Sequence, residues 1–305
     1  MTTPAKNLRD PETCGEDLLA IANRAADIAK TNCDGCSVNH WRVPAQRAVG
    51  LPESLATDRG QIVDAVRTIW KRPAFGRKFE IVIAGAADTG LLAAVAHAVA
   101  ASATDALGHT HFTVVDRFRT PLLLCEEFSS LHGIDCTTIA SDLRTATPER
   151  LCDLVVMHSV LRFFPSEERI LFLQRARSWL APSGQLLVSN SFGPQTESQR
   201  AAKIENNEAS SLLIKQAFAS GLLRSPVRLD QLQLAQRIVA MSAVDRDRVF
   251  YDVHDIERMA VAAGFGIAKL NIISAPNLKP DLPGRSRMLA ILSPAETKGT
   301  APSNK

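Results

Sequence analysis

Residues 79–90 read FEIVIAGAADTG, in which an apolar run leads into a glycine-rich turn. A short run rich in β-branched residues ends at Gly85, and an Ala-rich segment begins at Gly90. A continuous apolar run is typical of a strand buried on both faces, and glycines allow a tight turn into a helix. The stretch therefore predicts a strand over residues 79–84, a glycine-rich turn, and a helix from Gly90 to about Leu107.

The alternation of strands and helices continues towards the C-terminus. The pattern predicts strands at 111–116, 134–140, 153–157 and 185–190, with helices at 120–131 and 166–180. Such alternation indicates βαβ units, and hence a parallel sheet with helices on both faces. A helix at 254–263 and two final strands, at 265–273 and 286–292, complete a predicted seven-stranded sheet with an antiparallel edge.

Helical patterns also lie outside this sheet. The apolar spacing predicts helices over 16–30 and 57–70, and Thr57 or Asp58 is expected to cap the second. Residues 195–245 interrupt the alternation and are mostly helical in pattern.

Composition excludes several classes of protein. The chain has 305 residues, of which 46% are hydrophobic and 22% charged, as in a globular protein with a sizeable core. Lys and Arg number 35 against 32 Asp and Glu, a net charge of +3, and the charges are interspersed, so no nucleic-acid partner is expected. The longest apolar stretch, 90–103, is shorter than the ~20 residues of a membrane span, and the first residues lack a signal-peptide pattern. We therefore expect no membrane association, a cytoplasmic location, and six cysteines that remain thiols.

Polar or small residues follow three of the predicted strands, where α/β sheets bind ligands. The turn after the first strand contains Gly85, Ala86, Ala87, Asp88 and Gly90, whose small side chains and helix N-terminus suit a polar ligand, although a tight turn alone also requires glycine. Asp116, next to Arg117, ends the second strand and can accept ribose hydroxyls; it can equally be a solvated aspartate. Asp142 and Leu143 follow the third strand and can read an adenine edge, or Asp142 can cap a turn.

With CDLVVMH at 152–158 and WLAPSGQLLVS at 179–189, these strand ends resemble a class I S-adenosylmethionine-dependent methyltransferase. The resemblance covers about residues 79–193, with a weaker continuation at 252–293. It implies an α/β, Rossmann-like, predominantly parallel seven-stranded sheet, to which the helical N-terminal and inserted segments are added as caps. It also implies S-adenosylmethionine as cofactor and S-adenosylhomocysteine as product.

The resemblance implies roles for the strand-end residues. Gly85, Ala87 and Gly90 would line the methionine moiety, Asp116 would hold the ribose, and Asp142 with Leu143 would read adenine. His158 and Ser159 would lie beside the sulfonium methyl, with His158 as a general base or as a spacer. The sequence departs from the family at Ile83, a position where an acidic residue is usual. Glu80 lies too early in the strand to replace that acid. Asp88 or a backbone carbonyl would therefore bind the cofactor's amino group.

On this basis the chain divides into five segments. Residues 1–76 form a helical N-terminal cap, 77–194 the cofactor-binding core, 195–250 a helical insertion that serves as a substrate lid, 251–295 the last part of the core sheet, and 296–305 a disordered tail.

Candidate substrate-binding residues come from two polar–aromatic stretches outside the core. His40, Trp41 and Arg42 lie in the first, and Tyr251 and His254 in the second; both stretches also suit helix packing or capping. A Cys33-x-x-Cys36 pair with Cys14 and His40 has the ligand types of a zinc site, but a single pair is a weak pattern and no metal is predicted.

The sequence thus predicts methyl transfer to an oxygen or nitrogen of a small-molecule acceptor. Two alternatives remain open. A nicotinamide-dependent oxidoreductase would explain Gly85 and Asp116, though not Asp142 or the turn into the fifth strand. A non-catalytic cofactor-binding protein would use its N-terminal helices for dimerisation, and a homodimer is possible in either case.

Overall fold

The structure is a computed structural model that describes residues 18–32, 37–51, 54–193, 196–224, 249–275 and 285–295. Eight α-helices lie in these ranges: α1 Leu18–Asn32, α2 Ser37–Ala48, α3 Ser54–Ile69, α4 Gly90–Ser102, α5 Arg119–His132, α6 Ser166–Trp179, α7 Glu197–Ala219 and α8 Val253–Ala262. The strands are β1 Phe79–Ala84, β2 Thr110–Asp116, β3 Cys136–Ala140, β4 Cys152–His158, β5 Leu180–Phe192, β6 Phe265–Ala275 and β7 Arg285–Pro294.

The strands form one seven-stranded sheet in the order β3-β2-β1-β4-β5-β7-β6. Strands β1 to β5 pair in parallel, and β7 runs antiparallel to both β5 and β6. The predicted seven-stranded, predominantly parallel sheet is confirmed. The predicted antiparallel edge is confirmed as well, since the edge strand β6 pairs antiparallel with β7, which lies between β5 and β6.

The central strands are buried on both faces, as the continuous apolar run predicted. Along β1, Ile81 and Ile83 belong to one hydrophobic cluster, and Val82 and Ala84 belong to another on the opposite face. Helices α3 and α4 contribute to the first cluster, and α6 and α8 to the second. A third cluster joins α1, α2 and α7 through residues that include Trp41, Ile214 and Ala217.

Three local predictions need correction. Helix α4 ends at Ser102, and a short 3-10 turn at Ala106–His109 replaces its expected last turn. Helix α2 was not predicted as a separate helix, and it contains Pro44. Helix α3 begins at Ser54, so Asp58 lies inside the helix and is fully buried, whereas a capping residue would be at its start.

In the described part of the chain, no helix combines the length and the apolar character that crossing a membrane requires.

Candidate active site

The polar residues predicted at the strand ends meet at the carboxyl edge of the sheet. The chain order reverses between β1 and β4, since β2 and β3 extend the sheet on one side and β5 on the other. Ligands of open α/β sheets bind in the crevice at such a reversal. Gly85 follows β1, Asp116 ends β2, and His158 ends β4 on the two sides of this crevice.

Gly85 is required by both conformation and space. Its φ is +82°, in the left-handed region that favours glycine, and its N–H donates to the Val115 carbonyl oxygen at 2.8 Å. A Cβ at this position would overlap Cγ2 of Val160 and would lie 3.7 Å from Cδ1 of Leu143. The turn therefore brings the chains that follow β3 and β4 against the end of β1.

The Asp116 carboxylate holds the glycine turn in place. Its Oδ2 accepts the Ala86 N–H at 2.9 Å, and its Oδ1 accepts the Phe118 N–H at 2.8 Å. Burial raises the pKa of Asp116, although these two hydrogen bonds oppose the shift. A carboxylate can accept about four hydrogen bonds, so both oxygens keep acceptor capacity for a ligand hydroxyl. The neighbouring Arg117 is exposed, with its guanidinium 4.9 Å from the centre of the Phe118 ring.

Asp142 is engaged by a residue of its own loop. Its carboxylate accepts hydrogen bonds from the backbone N–H, Nε and Nη2 of Arg144, at 2.9, 2.9 and 2.7 Å. The side-chain bonds to Arg144 are the main reason that the pKa of Asp142 falls to about 2. This geometry suits a turn aspartate, and adenine recognition by Asp142 and Leu143 stays a prediction.

His158 lies against a buried charged cluster. Its Nε2 is 3.2 Å from Oδ2 of Asp58 and 3.2 Å from Nη2 of Arg287. Arg287 donates from Nε and Nη2 to the Asp58 carboxylate at 2.7 and 2.6 Å, and from Nη2 to Oγ of Ser159 at 2.9 Å. Ser189 at β5 donates its hydroxyl to Asp58 as well. We call these five residues, Asp58, His158, Ser159, Ser189 and Arg287, the Asp58 cluster.

The Asp58 cluster is nearly closed to solvent. Asp58 has no exposed side-chain surface, and the side chains of Arg287 and His158 are 8% and 11% exposed. Burial raises the pKa of Asp58, whereas its hydrogen bonds to His158 and Arg287 lower it. Together the hydrogen bonds and the nearby charges outweigh burial, so the pKa of Asp58 is below the ordinary aspartate value. Asp58 is therefore an anion at neutral pH, and it ties α3 to the ends of β4, β5 and β7.

Helix α2 reaches the glycine turn from the other side. Arg47 forms an ion pair with Asp88, with 2.8 Å between Nη1 and Oδ2, and Asp88 is buried. His40 is also buried; its ring lies 4.8 Å from that of Phe118. Burial lowers the pKa of His40, and the adjacent Ala87 backbone and the Asp88 charge oppose this shift. Asp88, the expected partner of a ligand amino group, is thus already paired with a cation.

The other candidate substrate residues lie in packing or capping positions. Trp41 is buried in the third cluster, 5.3 Å from the Phe218 ring, and Arg42 is half-buried on the same helix. Tyr251 is half exposed just before α8, and His254 is exposed and pairs with Glu257 of that helix. Their binding of a substrate stays a prediction.

Three of the six cysteines lie in the described ranges. Cys125, Cys136 and Cys152 are free thiols, and burial raises the pKa of Cys152 to about 12. Cys14, Cys33 and Cys36 lie outside the described residues. Within the described ranges, no group of three or more His, Cys, Asp and Glu side chains is arranged to hold a metal ion.

Arg47 and Arg287 were not predicted as site residues, and Asp58 was predicted only as a possible helix cap. Asp58 carried a detectable signal, because it lies three residues after Leu55 and four before Ile62 on the apolar face of α3. A charged residue in such a position indicates a buried partner. Arg287 is 229 residues away from Asp58, and no local pattern links the two.

Sequence comparisons find no relative: no family model matches, and no curated protein matches either. Several solved structures are similar. The mitomycin 7-O-methyltransferase MmcR is 15% identical, with 82% of this chain and 57% of that chain covered and a TM-score of 0.44. The magnesium protoporphyrin IX methyltransferase ChlM from Synechocystis PCC 6803, with bound S-adenosylhomocysteine, is 16% identical, with 84% and 95% covered and a TM-score of 0.47. TnmH is 17% identical, with 85% and 58% covered and a TM-score of 0.46. The chain thus spans somewhat over half the length of MmcR and TnmH.

The strand order itself decides the fold. The dinucleotide-binding order is 3-2-1-4-5-6, whereas here a reversed β7 is inserted between β5 and β6. This Rossmann-like, predominantly parallel seven-stranded sheet agrees with the fold that the resemblance to class I methyltransferases implies.

Proposed function

We propose that this protein transfers the methyl group of S-adenosylmethionine to an oxygen or nitrogen of a small-molecule acceptor. The observation that carries the proposal is the contact between Asp116 and the glycine turn. The carboxylate accepts the Ala86 N–H and lies at the crevice with acceptor capacity to spare. The reversed β7 separates this sheet from the dinucleotide-binding order and argues against the oxidoreductase alternative.

Residues around the crevice fit such a cofactor. Asp116 would hold the ribose hydroxyls, and the turn at Gly85, Ala86 and Ala87 allows close approach of a ligand. His40 is 5% exposed and lies against the turn, beside the Ala87 backbone and the Asp88 charge.

S-adenosylmethionine supplies a methyl group that its sulfonium already activates, so the protein has mainly to orient the acceptor and remove its proton. His158 is suited to accept that proton. Nε2 of His158 lies 3.2 Å from both Oδ2 of Asp58 and Nη2 of Arg287. The base role requires the tautomer in which Nε2 carries the hydrogen and donates it to Asp58, so that Nδ1 accepts the proton of a hydroxyl or amine.

The N-terminal helices favour a small acceptor. Helix α2 contacts the glycine turn through Arg47, and α3 contacts the end of β4 through Asp58. Both helices therefore lie over the carboxyl edge of the sheet, where they would exclude water and restrict the acceptor to a small molecule.

Calorimetry with three ligands tests the cofactor. We expect S-adenosylmethionine and S-adenosylhomocysteine to bind and NADH not to bind. Binding of NADH alone would contradict the proposed function and favour the oxidoreductase alternative. Incubation with S-adenosylmethionine and pooled small metabolites should then release S-adenosylhomocysteine. Cofactor binding without release from any pool would favour the non-catalytic alternative.

A further inference from the structure

Ser159, the first residue after β4, has an uncommon backbone conformation. Its φ is +57°, in the left-handed region, and every other residue with a positive φ in the described part of the chain is a glycine. Such a conformation persists in a residue with a side chain only where the surrounding contacts impose it. A serine in a place that suits glycine better indicates that its hydroxyl group has a role.

Two hydrogen bonds hold Ser159 in this conformation. Its backbone N–H donates to the Ser189 carbonyl oxygen at 2.8 Å, and its Oγ accepts from Nη2 of Arg287 at 2.9 Å. The first bond joins the end of β4 to β5, and the second joins it to β7. The hydroxyl of Ser159 is therefore directed into the Asp58 cluster.

Arg287 has more acceptors than hydrogens at this point. Its Nη2 carries two hydrogens, and its distances to four neighbouring atoms are 2.6 Å to Oδ2 of Asp58, 2.9 Å to Oγ of Ser159, 3.2 Å to Nε2 of His158 and 3.3 Å to Oγ of Ser189. The two shortest contacts, to Asp58 and Ser159, use both hydrogens. None of the Nη2 hydrogens is then left for His158.

The second neighbour of the His158 ring is the Asp58 carboxylate. Oδ2 of Asp58 lies 3.2 Å from Nε2, and a carboxylate only accepts hydrogen bonds. The contact is therefore favourable only when Nε2 carries a hydrogen. A neutral imidazole has one ring hydrogen, so Nδ1 is then bare. The tautomer of His158 thus depends on which atom takes the second Nη2 hydrogen of Arg287.

We propose that Ser159 is a positioning residue, whose hydroxyl oxygen takes the second Nη2 hydrogen of Arg287 and thereby keeps the hydrogen of His158 on Nε2. The inference rests on the proposed function, because a bare Nδ1 is the form of His158 that accepts a proton from the methyl acceptor. Without the hydroxyl, the nearest acceptor left for that hydrogen is Nε2 of His158. His158 would then carry its own hydrogen on Nδ1 and could not act as a base there.

The closed surroundings strengthen this dependence. The side chains of Arg287 and His158 are 8% and 11% exposed, so solvent has little access to Nη2. Ser189 is the other candidate, but its contact with Nη2 is the longest of the four, and its hydroxyl already donates to Asp58. A hydrogen that loses Ser159 therefore turns to His158.

Nitrogen-15 NMR of the full chain, labelled in its histidine rings, measures the tautomer. Long-range spectra distinguish a ring nitrogen that carries a hydrogen from a bare one, and His158→Gln identifies the signals of this ring among the seven histidines. In the neutral ring of the unmodified protein we expect the hydrogen on Nε2. In Ser159→Ala we expect it on Nδ1, so that the two nitrogen signals exchange their positions.

Two further variants keep the test decisive. Ser159→Ala retains the positive φ without the bond that supports it and can fail to fold, whereas Ser159→Gly also lacks the hydroxyl but suits this backbone. Its spectrum should show the same exchange of signals. Ser178→Ala is the matched control, because Ser178 is an exposed serine of α6 whose hydroxyl donates to the Arg175 carbonyl oxygen. It should leave the His158 signals unchanged.

Activity gives a second measurement. With an acceptor identified by release of S-adenosylhomocysteine, kcat of Ser159→Gly should fall about tenfold or more, since only molecules with a bare Nδ1 can take the proton. The dissociation constant of S-adenosylhomocysteine should change by less than about twofold, because the hydroxyl acts through His158.

The spectra and the binding data fail in different ways. A hydrogen on Nδ1 in the unmodified protein, or the same tautomer with and without the hydroxyl, overturns the role of Ser159. An unmodified protein that binds no S-adenosylmethionine refutes the proposed function, and with it the catalytic purpose of the tautomer, even where the spectra agree.

Discussion

Removal of Asp58 should destabilise the protein far more than removal of an exposed aspartate. Asp58 lies inside α3 with no exposed surface, and Arg287 of β7 donates to it from two nitrogens at 2.7 and 2.6 Å. In Asp58→Ala the Arg287 guanidinium remains buried without its anion. Breaking a buried pair in this way costs about 3–5 kcal/mol of unfolding free energy.

That cost translates into a measurable change in melting temperature. At about 2.1 cal/mol/K of unfolding entropy per residue, a change of 1 kcal/mol shifts the melting temperature of a 305-residue chain by about 1.6 °C, so a decrease of roughly 5–8 °C is expected. Thermal and urea unfolding, followed by circular dichroism, measure both quantities. Asp105→Ala is the matched control: its partner Arg72 is exposed, and the effect should be barely measurable.

A double variant tests whether the lost stability comes from the unpaired charge of Arg287. Replacing Asp58 with Leu and Arg287 with Met removes both charges and should restore most of the lost stability, because two well-packed apolar side chains often replace a buried ion pair without loss. If Asp58→Ala behaves like Asp105→Ala, or if the double variant is less stable than Asp58→Ala, the pair does not have the buried geometry described above.

The pH dependence gives an independent check on Asp58. Its pKa is below the ordinary aspartate value, so the stability it contributes is complete above that ordinary value and is lost as the pH falls towards the folded-state pKa. The stability difference between the unmodified protein and Asp58→Asn should therefore decrease on acidification. A difference that stays constant through the acidic range would refute an ionised Asp58.

Three further predictions concern the crevice. Asp116→Ala should weaken S-adenosylhomocysteine binding at least tenfold in a folded protein. Because burial raises the pKa of Asp116, the affinity of the unmodified protein should begin to fall on acidification at a higher pH than with an ordinary aspartate. Calorimetry across pH tests both expectations. Gly85→Ala should lower the unfolding free energy by more than Gly76→Ala, since both glycines have φ near +80° but only Gly85 has Val160 where a Cβ would lie; equal losses in urea unfolding would refute the contact. His158→Ala should lower kcat by about 10²–10⁴ with a much smaller effect on cofactor affinity if His158 removes the acceptor's proton; an unchanged kcat would leave it a spacer.

Most of the sheet was predictable because its strands carry a local signal. The run from Phe79 to Gly85 gave the first strand and turn, and the alternation after it gave the remaining strands within a few residues. The position of β7 between β5 and β6 was not predictable in this way. Pairing between strands depends on contacts across more than a hundred residues, which the spacing of apolar residues along one strand does not encode.

The residues of the candidate site likewise fall into two groups, those with a local sequence signal and those without one. Gly85, Asp116 and His158 could be placed because each follows a recognisable strand in a fold whose ligands bind at the strand ends. Arg47, Asp58 and Arg287 could not, since each acts through a partner 41 to 229 residues away. Helix α2 was not predicted because Pro44 lies inside it and its apolar residues are few.

These long-range pairs also determine what the N-terminal helices can do. Helix α3 buries Leu55, Ile62 and Val66 in the same hydrophobic cluster as β1, so it packs as part of the core. The boundary at residue 76 between a helical cap and the core stays a prediction. Swinging α2 and α3 away from the sheet would separate two ion pairs, Arg47 with Asp88 and Asp58 with Arg287, and would expose that cluster. Helices α2 and α3 are therefore held against the carboxyl edge of the sheet by two ion pairs and by the burial of apolar side chains, and we expect a ligand to enter and leave the crevice along a path that keeps both pairs intact.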